Sequence, residues 1–207
     1  MHQKLVFDTT TDLILENERV FLLPLMQEDT EYLSEYVKVE PTLWKYALTP
    51  ITTAQEFGQY ITSAIESRGL KTAFPFIVFD KLQNKFVGST RFYDIQLDNC
   101  TTQLGYTWYS EKTWGTGLNE HCKFLLLSHA FETIGFERVE FRADNRNKRS
   151  IAAMQKIGCT VEGVLRNHLP TSDGTRRDSI VLSMLKNEWP TIKAGFLARI
   201  KMLDQNK

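Results

Sequence analysis

Eight residues, Lys112-Thr-Trp-Gly-Thr-Gly-Leu-Asn119, most constrain what this chain can fold into. An apolar strand-like run, Leu104 to Tyr109, ends just before them, and a helix-like run, Leu118 to Ile134, starts within them. A strand, a glycine-rich turn and a helix N-terminus in succession make the geometry of an anion site. Glycine permits φ > 0 and lets bare N–H groups approach a ligand. The first helical N–H groups lack intrahelical partners and carry partial positive charge, which suits a phosphate or pyrophosphate. Taken alone, Gly115 and Gly117 also fit a plain turn before a helix. There is no GxxxxGK[ST] and no GxGxxG after the first strand, so neither a nucleoside-triphosphate loop nor a dinucleotide loop is supported.

A second stretch, Arg142 to Gly158, narrows the reading: it carries Asn147-x-x-Ser150 and ends in Lys156-Ile-Gly158. With Lys112-Thr-Trp-Gly115-Thr-Gly117 upstream, the chain resembles the Gcn5-related N-acetyltransferase (GNAT) superfamily. Val161-Glu-Gly-Val-Leu-Arg166 and Glu188-Trp-Pro190 resemble its RimJ/RimL-type branch, which includes enzymes that acetylate protein N-termini, notably of ribosomal proteins. The resemblance spans about Asn17 to Leu203 and is specific as a combination of motifs.

The resemblance implies acetyl-CoA as cosubstrate and no metal. It implies two adjacent parallel strands, 104–109 and 138–143, that splay apart and leave backbone groups for the pantetheine arm. Backbone atoms of Tyr106, Thr107, Trp108 and Tyr109 would bond that arm, and the N–H groups of Gly115, Thr116, Gly117, Leu118 and Asn119 would hold the pyrophosphate. Lys112 stands where the family has Gln or Arg; it keeps a charge but lacks the planar fork of arginine. Asn147 would order the pantetheine arm. Arg146, Lys148 and Arg149 flank it and suit either a ligand anion, such as the 3′-phosphate of CoA, or a solvated surface. Many family members place a tyrosine on the following helix to serve the leaving thiolate. Met154 stands there in this chain, which leaves Ser150 as the candidate, against the alternative of a helix serine bonding its own backbone. For the base there are His168, which titrates near neutral pH, and Glu120, which also fits a first-turn carboxylate favoured by the helix dipole. Asp94, Asp178 and a water relay from backbone carbonyls are further routes.

Composition sets outer bounds. With 207 residues, 42% hydrophobic and 24% charged, the chain has enough apolar content for a substantial core. Lys and Arg total 25 and so do Asp and Glu, so charge gives no support for direct nucleic-acid binding. Three cysteines, Cys100, Cys122 and Cys159, make neither a metal spacing nor a disulfide framework, which fits a reducing cytoplasm. The N-terminus has no apolar signal-peptide core, and no run reaches the ~18–20 apolar residues of a membrane span.

In chain order, residues 1–16 fit an extra strand, a short helix or an arm. Arg19–Leu25 predicts a strand, and Gln27–Val37 predicts one amphipathic helix through Tyr32, Leu33, Tyr36 and Val37. Thr53 caps a helix over Ala54–Ser67. Strands follow over Ala73–Phe79, Phe86–Ile95 and Thr101–Tyr109, then the helix Leu118–Ile134 and the strand Arg138–Ala143. A helix over Lys148–Ile157 stops at Gly158, strands cover Cys159–Leu165 and Arg177–Leu185, and Glu188–Leu203 closes the chain. The hairpin signal Asp173-Gly174 lies between the last two strands. Trp44, Tyr46, Phe92, Tyr93, Trp108 and Trp114 are mostly core. Phe92 and Tyr93 face opposite ways, so only one of the pair is expected to reach an acceptor.

The expectation is one α/β (α+β) GNAT-like domain over 1–207, with a mixed, mostly antiparallel sheet of about seven strands, one splayed parallel pair and helices on both faces. The function implied is acetyl transfer from acetyl-CoA to a primary amine, a protein N-terminus or a small molecule. The alternative is a non-catalytic acyl-CoA-binding sensor or assembly module. Ile180-Val-Leu-Ser-Met184 and the closing helix offer apolar surface for a homodimer or for the chain's own core.

Overall fold

The computed structural model describes residues 5–49, 51–171 and 174–205. Its centre is an eight-stranded sheet in the order β1-β2-β3-β4-β5-β6-β8-β7. These are β1 Leu15–Glu16, β2 Val20–Pro24, β3 Ala73–Asp80, β4 Lys85–Gln96, β5 Thr101–Tyr109, β6 Arg138–Asp144, β7 Thr160–Pro170 and β8 Arg176–Leu185. Pairing is antiparallel along β1 to β5; the connections are short except between β2 and β3, where residues 25–72 intervene. The long crossover from β5 to β6 makes the one parallel pair among the described residues. The eighth strand, β1, is two residues long and lies in the stretch the sequence left open between strand, helix and arm.

The helices are α1 Thr30–Leu33, α2 Glu35–Val39, α3 Ala54–Gly69, α4 Leu118–Ser128, α5 Lys148–Lys156 and α6 Trp189–Gln205. Alternation along β3 explains how two cores arise. Phe74, Phe76 and Val78 pack with Leu118, Cys122 and Leu126 of α4 and Phe196 of α6. Ile77, on the other face, packs with Tyr36, Val37, Phe57, Ile61 and Ala64 of α2 and α3. Among the described residues no helix is long and apolar enough to cross a membrane.

Two helical readings are corrected. Gln27–Val37 is not one helix: Gln27–Asp29 is a tight turn, and α1 and α2 meet at Ser34. The run 118–134 changes winding at His129, where the wider His129–Ile134 turn begins. Of the two uses offered for the apolar surface of the last strand and closing helix, the chain's own core takes Ile180, Leu182, Met184, Trp189 and Phe196. The last hairpin's signal lies partly outside the described residues, at Ser172 and Asp173.

The α3 start is a reciprocal cap. Thr53 Oγ1 accepts the Glu56 N–H at 3.1 Å, and Glu56 Oε2 accepts the Thr53 N–H at 3.0 Å. Thr53→Ala should lower the melting temperature by about 2–4 °C in a thermal melt. No change would mean that the cap is redundant with Thr52, which also donates to Glu56.

Candidate active site

The parallel pair is short where it meets and open beyond. Residues 101–103 of β5 pair with 138–140 of β6, and the two strands then part. Leu104–Tyr109 and Phe141–Asp144 keep their outer partners, β4 and β8, but not each other. Each therefore presents an open backbone edge to the gap. Beside it, the β4–β5 register shifts between Ser89↔Trp108 and Arg91↔Gly105, so β5 holds one extra residue. The bulge falls at Tyr106 and Thr107, and Tyr106 has φ +49, a costly value for a residue with a side chain.

At the end of β5, buried Glu40 fixes the loop's entry: it accepts Ser110 Oγ and the Glu111 N–H, both at 2.7 Å. Gly115 and Gly117 take φ +75 and +88. Thr116 Oγ1 donates to the Thr113 carbonyl at 2.7 Å. Arg19 reaches over from β2, its Nη2 donating to Thr116 Oγ1 at 3.3 Å, while Nε and Nη2 grip Asp80 at 3.0 and 2.9 Å. Gly117 is the N-cap of α4 and supplies no side chain, and among the described residues no side-chain acceptor takes up the first-turn donors. These features fit a diphosphate-bearing ligand: a cradle, an uncapped dipole end and, next to it, two open strand edges. Lys112 is exposed at the loop's outer rim.

The second motif lies beyond β6. Asn147 caps α5, its Oδ1 accepting the Ser150 N–H at 3.1 Å. Ser150 is half-buried, and among the described residues its Oγ makes no hydrogen bond to its own helix backbone. Met154, one helical turn on, is buried. The basic trio separates: Arg146 grips Asp144, Arg149 stacks 3.3 Å from the centre of the Trp114 ring, and Lys148 is exposed.

The two candidate bases are both engaged. Glu120 is buried and ion-paired with Lys156 at 2.8 Å. His168 Nδ1 lies 2.9 Å from Ser179 Oγ, which accepts from Arg177 Nε at 2.8 Å. Ser179 Oγ, with one hydrogen and two lone pairs, can meet Nδ1 as donor or as acceptor, so the contact holds the His168 ring without fixing its tautomer. Desolvation, then Arg142, Arg177 and Arg176, hold its pKa below the usual histidine value. Asp94 accepts from Gln103 and Gln96, and Asp178 from the Asn167 N–H. Of the aromatic residues, Trp44, Phe92 and Trp108 are buried in the cores, whereas Tyr93 packs edge-on to Tyr106 at 5.0 Å.

Two residues escaped the sequence reading. Lys123 of α4 is buried, with Nζ 2.8 Å from Thr107 Oγ1 on β5 and 5.9 Å from the Phe141 ring centre on β6. It therefore stands under the gap where the strands have parted. Among the described residues no carboxylate pairs with it, and burial pushes its pKa down to about 8. Arg91 of β4, opposite Gly105, is the other. A lone lysine in an apolar helix run, Cys122-Lys-Phe-Leu, and a lone arginine in an apolar strand were the available signals.

Comparison with known proteins agrees with this geometry. The pattern described as "Acetyltransferase (GNAT) domain" matches residues 19–160. The "Uncharacterized N-acetyltransferase p20" of Bacillus licheniformis is 26% identical over 178 residues, covering 84% of this chain and 97% of that protein. The "Putative ribosomal N-acetyltransferase YdaF" of Bacillus subtilis is 29% identical over 102 residues, 49% of this chain and 55% of that one. The crystal structure of a GCN5-related N-acetyltransferase from Brucella melitensis superposes with a TM-score of 0.84 at 26% identity, over 92% of this chain and 86% of that one. The matched pattern spans more than half of the sequence and takes in the glycine loop, the splayed strands and the Asn147–Ser150 helix: this chain belongs to the GNAT acetyltransferase family.

Proposed function

We propose that the chain transfers an acetyl group from acetyl-CoA directly to a primary amine, with both substrates bound at once. The observation that carries this is the meeting of the β5–β6 gap with the glycine loop and the uncapped start of α4. The open edges of Tyr106–Tyr109 and Phe141–Asp144 give the pantetheine arm a strand-like partner on each side. The N–H groups of Gly115 to Asn119 take the pyrophosphate. A small-molecule amine or a protein N-terminus can fill the acceptor role; the YdaF relative keeps the RimJ/RimL-type reading, and with it the protein terminus, in view.

In the reaction the amine nitrogen attacks the thioester carbon, the C–N bond forms and the C–S bond breaks. The amine loses one proton and the sulfur gains one. Asp94, Glu120, Asp144 and Asp178 are all engaged elsewhere. His168 is tied at Nδ1 to Ser179, and in this reading the departing proton passes to water held by the carbonyls of the open strand edges. Ser150 Oγ, without a bond to its own helix among the described residues, serves the sulfur as hydrogen-bond donor, and Lys123 supplies positive charge beneath the gap. Holding the two substrates in line contributes much of the rate.

A sensor that binds acetyl-CoA without turnover is the second reading. Met154 in place of a donor and the pairing of Glu120 favour it. Release of CoA thiol in the presence of a panel of peptides, polyamines and amino acids separates the two. Turnover with one amine class, slowed about 10–10²-fold in Ser150→Ala, is expected. Tight acetyl-CoA binding without thiol release on any amine would decide for the sensor.

A further inference from the structure

Arg91 holds an unfilled carboxylate clamp. It is 5% exposed, and its Nε and Nη2 are buried without a hydrogen-bond partner. Its guanidinium lies between two rings, 4.1 Å from the centre of Tyr106 and 4.9 Å from that of Tyr60. Nε and Nη2 are the edge that matches a carboxylate bidentately. Among the described residues that edge serves the purpose twice. Arg19 grips Asp80 with Nε and Nη2 at 3.0 and 2.9 Å, and Arg146 grips Asp144 with the same atoms at 3.0 and 2.8 Å. In Arg91 the edge is empty, and neighbouring carboxylates are committed elsewhere: Asp94 to Gln103 and Gln96, Glu140 to Arg138 and Arg142. Burying charged donors without an acceptor is costly, so an arginine held this way points to an anion brought by a ligand.

The position says which ligand. Arg91 pairs with Gly105, next to the β5 bulge, and the ring over it belongs to the bulge residue Tyr106. It faces α3, away from Lys123 and α4, because Thr90 beside it on β4 points to Lys123. An anion on the Nε–Nη2 edge thus sits on the opposite face of the sheet from α4 and close to the gap. Arg142 and Arg177 add positive charge around the adjoining Tyr93, and Glu140, paired with Arg142, offsets part of it. We infer that the acceptor is a small primary amine bearing a carboxylate, and that the Nε–Nη2 edge of Arg91 binds that carboxylate. Tyr106, 45% exposed, is the outer wall of the slot, and the proposal requires its ring to turn aside for the ligand. This inference rests on the acetyl-transfer reading for the word acceptor, while the carboxylate site is testable without turnover.

The test is calorimetric binding of amino acids, ω-amino acids and short peptides with acidic first residues to the protein saturated with CoA. Each is compared with its carboxamide, and thiol release from acetyl-CoA is measured in parallel. At least one free acid should bind about 10²-fold more tightly than its carboxamide. The preference should collapse in Arg91→Met and shrink in Arg91→Lys, which keeps the charge and loses the fork. Discrimination confined to the acidic peptides would overturn the small-molecule assignment. Equal binding of acid and amide in every pair, no binding of any, or full discrimination surviving in Arg91→Met would overturn the site. Discrimination lost in the variants but accompanied by no thiol release would uphold the carboxylate site and sink acetyl transfer.

Discussion

Lys123→Met should make the protein more stable and less active. The lysine pKa falls from 10.5 to about 8 on folding because the ammonium is buried, which corresponds to roughly 3 kcal/mol against the charged form. Methionine fills a similar volume without that cost. Thr90 and Thr107 keep a partner after the change, because their hydroxyls already lie 2.7 Å apart. With some packing and hydrogen bonding lost, a net gain of about 1–3 kcal/mol at pH 7 is expected, or about 3–10 °C in melting temperature. The sign with pH follows from linkage. Between about 8 and 10.5 the unfolded chain holds more protons at this site than the folded one, so the penalty fades as pH rises through that window. The stability advantage of the variant should therefore be full below pH 8 and small near pH 10.5. Turnover should drop about 10²–10³-fold, the usual cost of losing one preorganised stabiliser of developing charge, with little change in acetyl-CoA affinity. A variant that is more stable yet fully active would reduce Lys123 to a core residue.

Gly117→Val should abolish useful acetyl-CoA binding. Gly117 sits at φ +88, where a side chain costs roughly 1–2 kcal/mol, and an added Cβ would lie 3.2 Å from Leu203 Cδ1 on α6. The backbone must shift to relieve both, and it is this backbone that aims the first donors of α4. Affinity should fall by about 10²-fold or more in calorimetry. Gly58→Ala on α3 is the control: a Cβ there meets nothing within 4 Å. That change should leave affinity intact and stabilise slightly. Equal affinities in both variants would detach the glycine loop from cosubstrate binding.

The strands and the loop were legible because they rest on local signals. Thr101–Tyr109 has strand alternation and apolar content over its whole length, and the observed strand has the same bounds. The start of α4 follows from Gly117, and the Thr53 cap follows from Glu56 three residues on. The reading of 27–37 as one helix failed because periodicity survives the breaks at Asp29 and Ser34, which are set by docking onto β4 and α3. The bulge at Tyr106 is a mismatch between two strands, and one strand's sequence does not contain it. Arg91 and Lys123 were missed for a related reason. A charged side chain in an apolar run ordinarily turns outward. Here Lys123 is drawn under a gap that exists only where β5 and β6 part, and Arg91 is roofed by a ring from the next strand. The commitment of Glu120 to Lys156 likewise joins α4 to α5, which are distant in sequence.

The most direct test of the account follows the acetyl group itself. Protein, isotopically acetyl-labelled acetyl-CoA and carboxylate-bearing amines would be combined, and CoA, amine and protein analysed by mass spectrometry. The account predicts one labelled acetyl on the amine nitrogen for each CoA released, with none on the protein at any time. Intact acetyl-CoA after prolonged incubation with every amine, or label accumulating on a protein side chain before it reaches the amine, would contradict it.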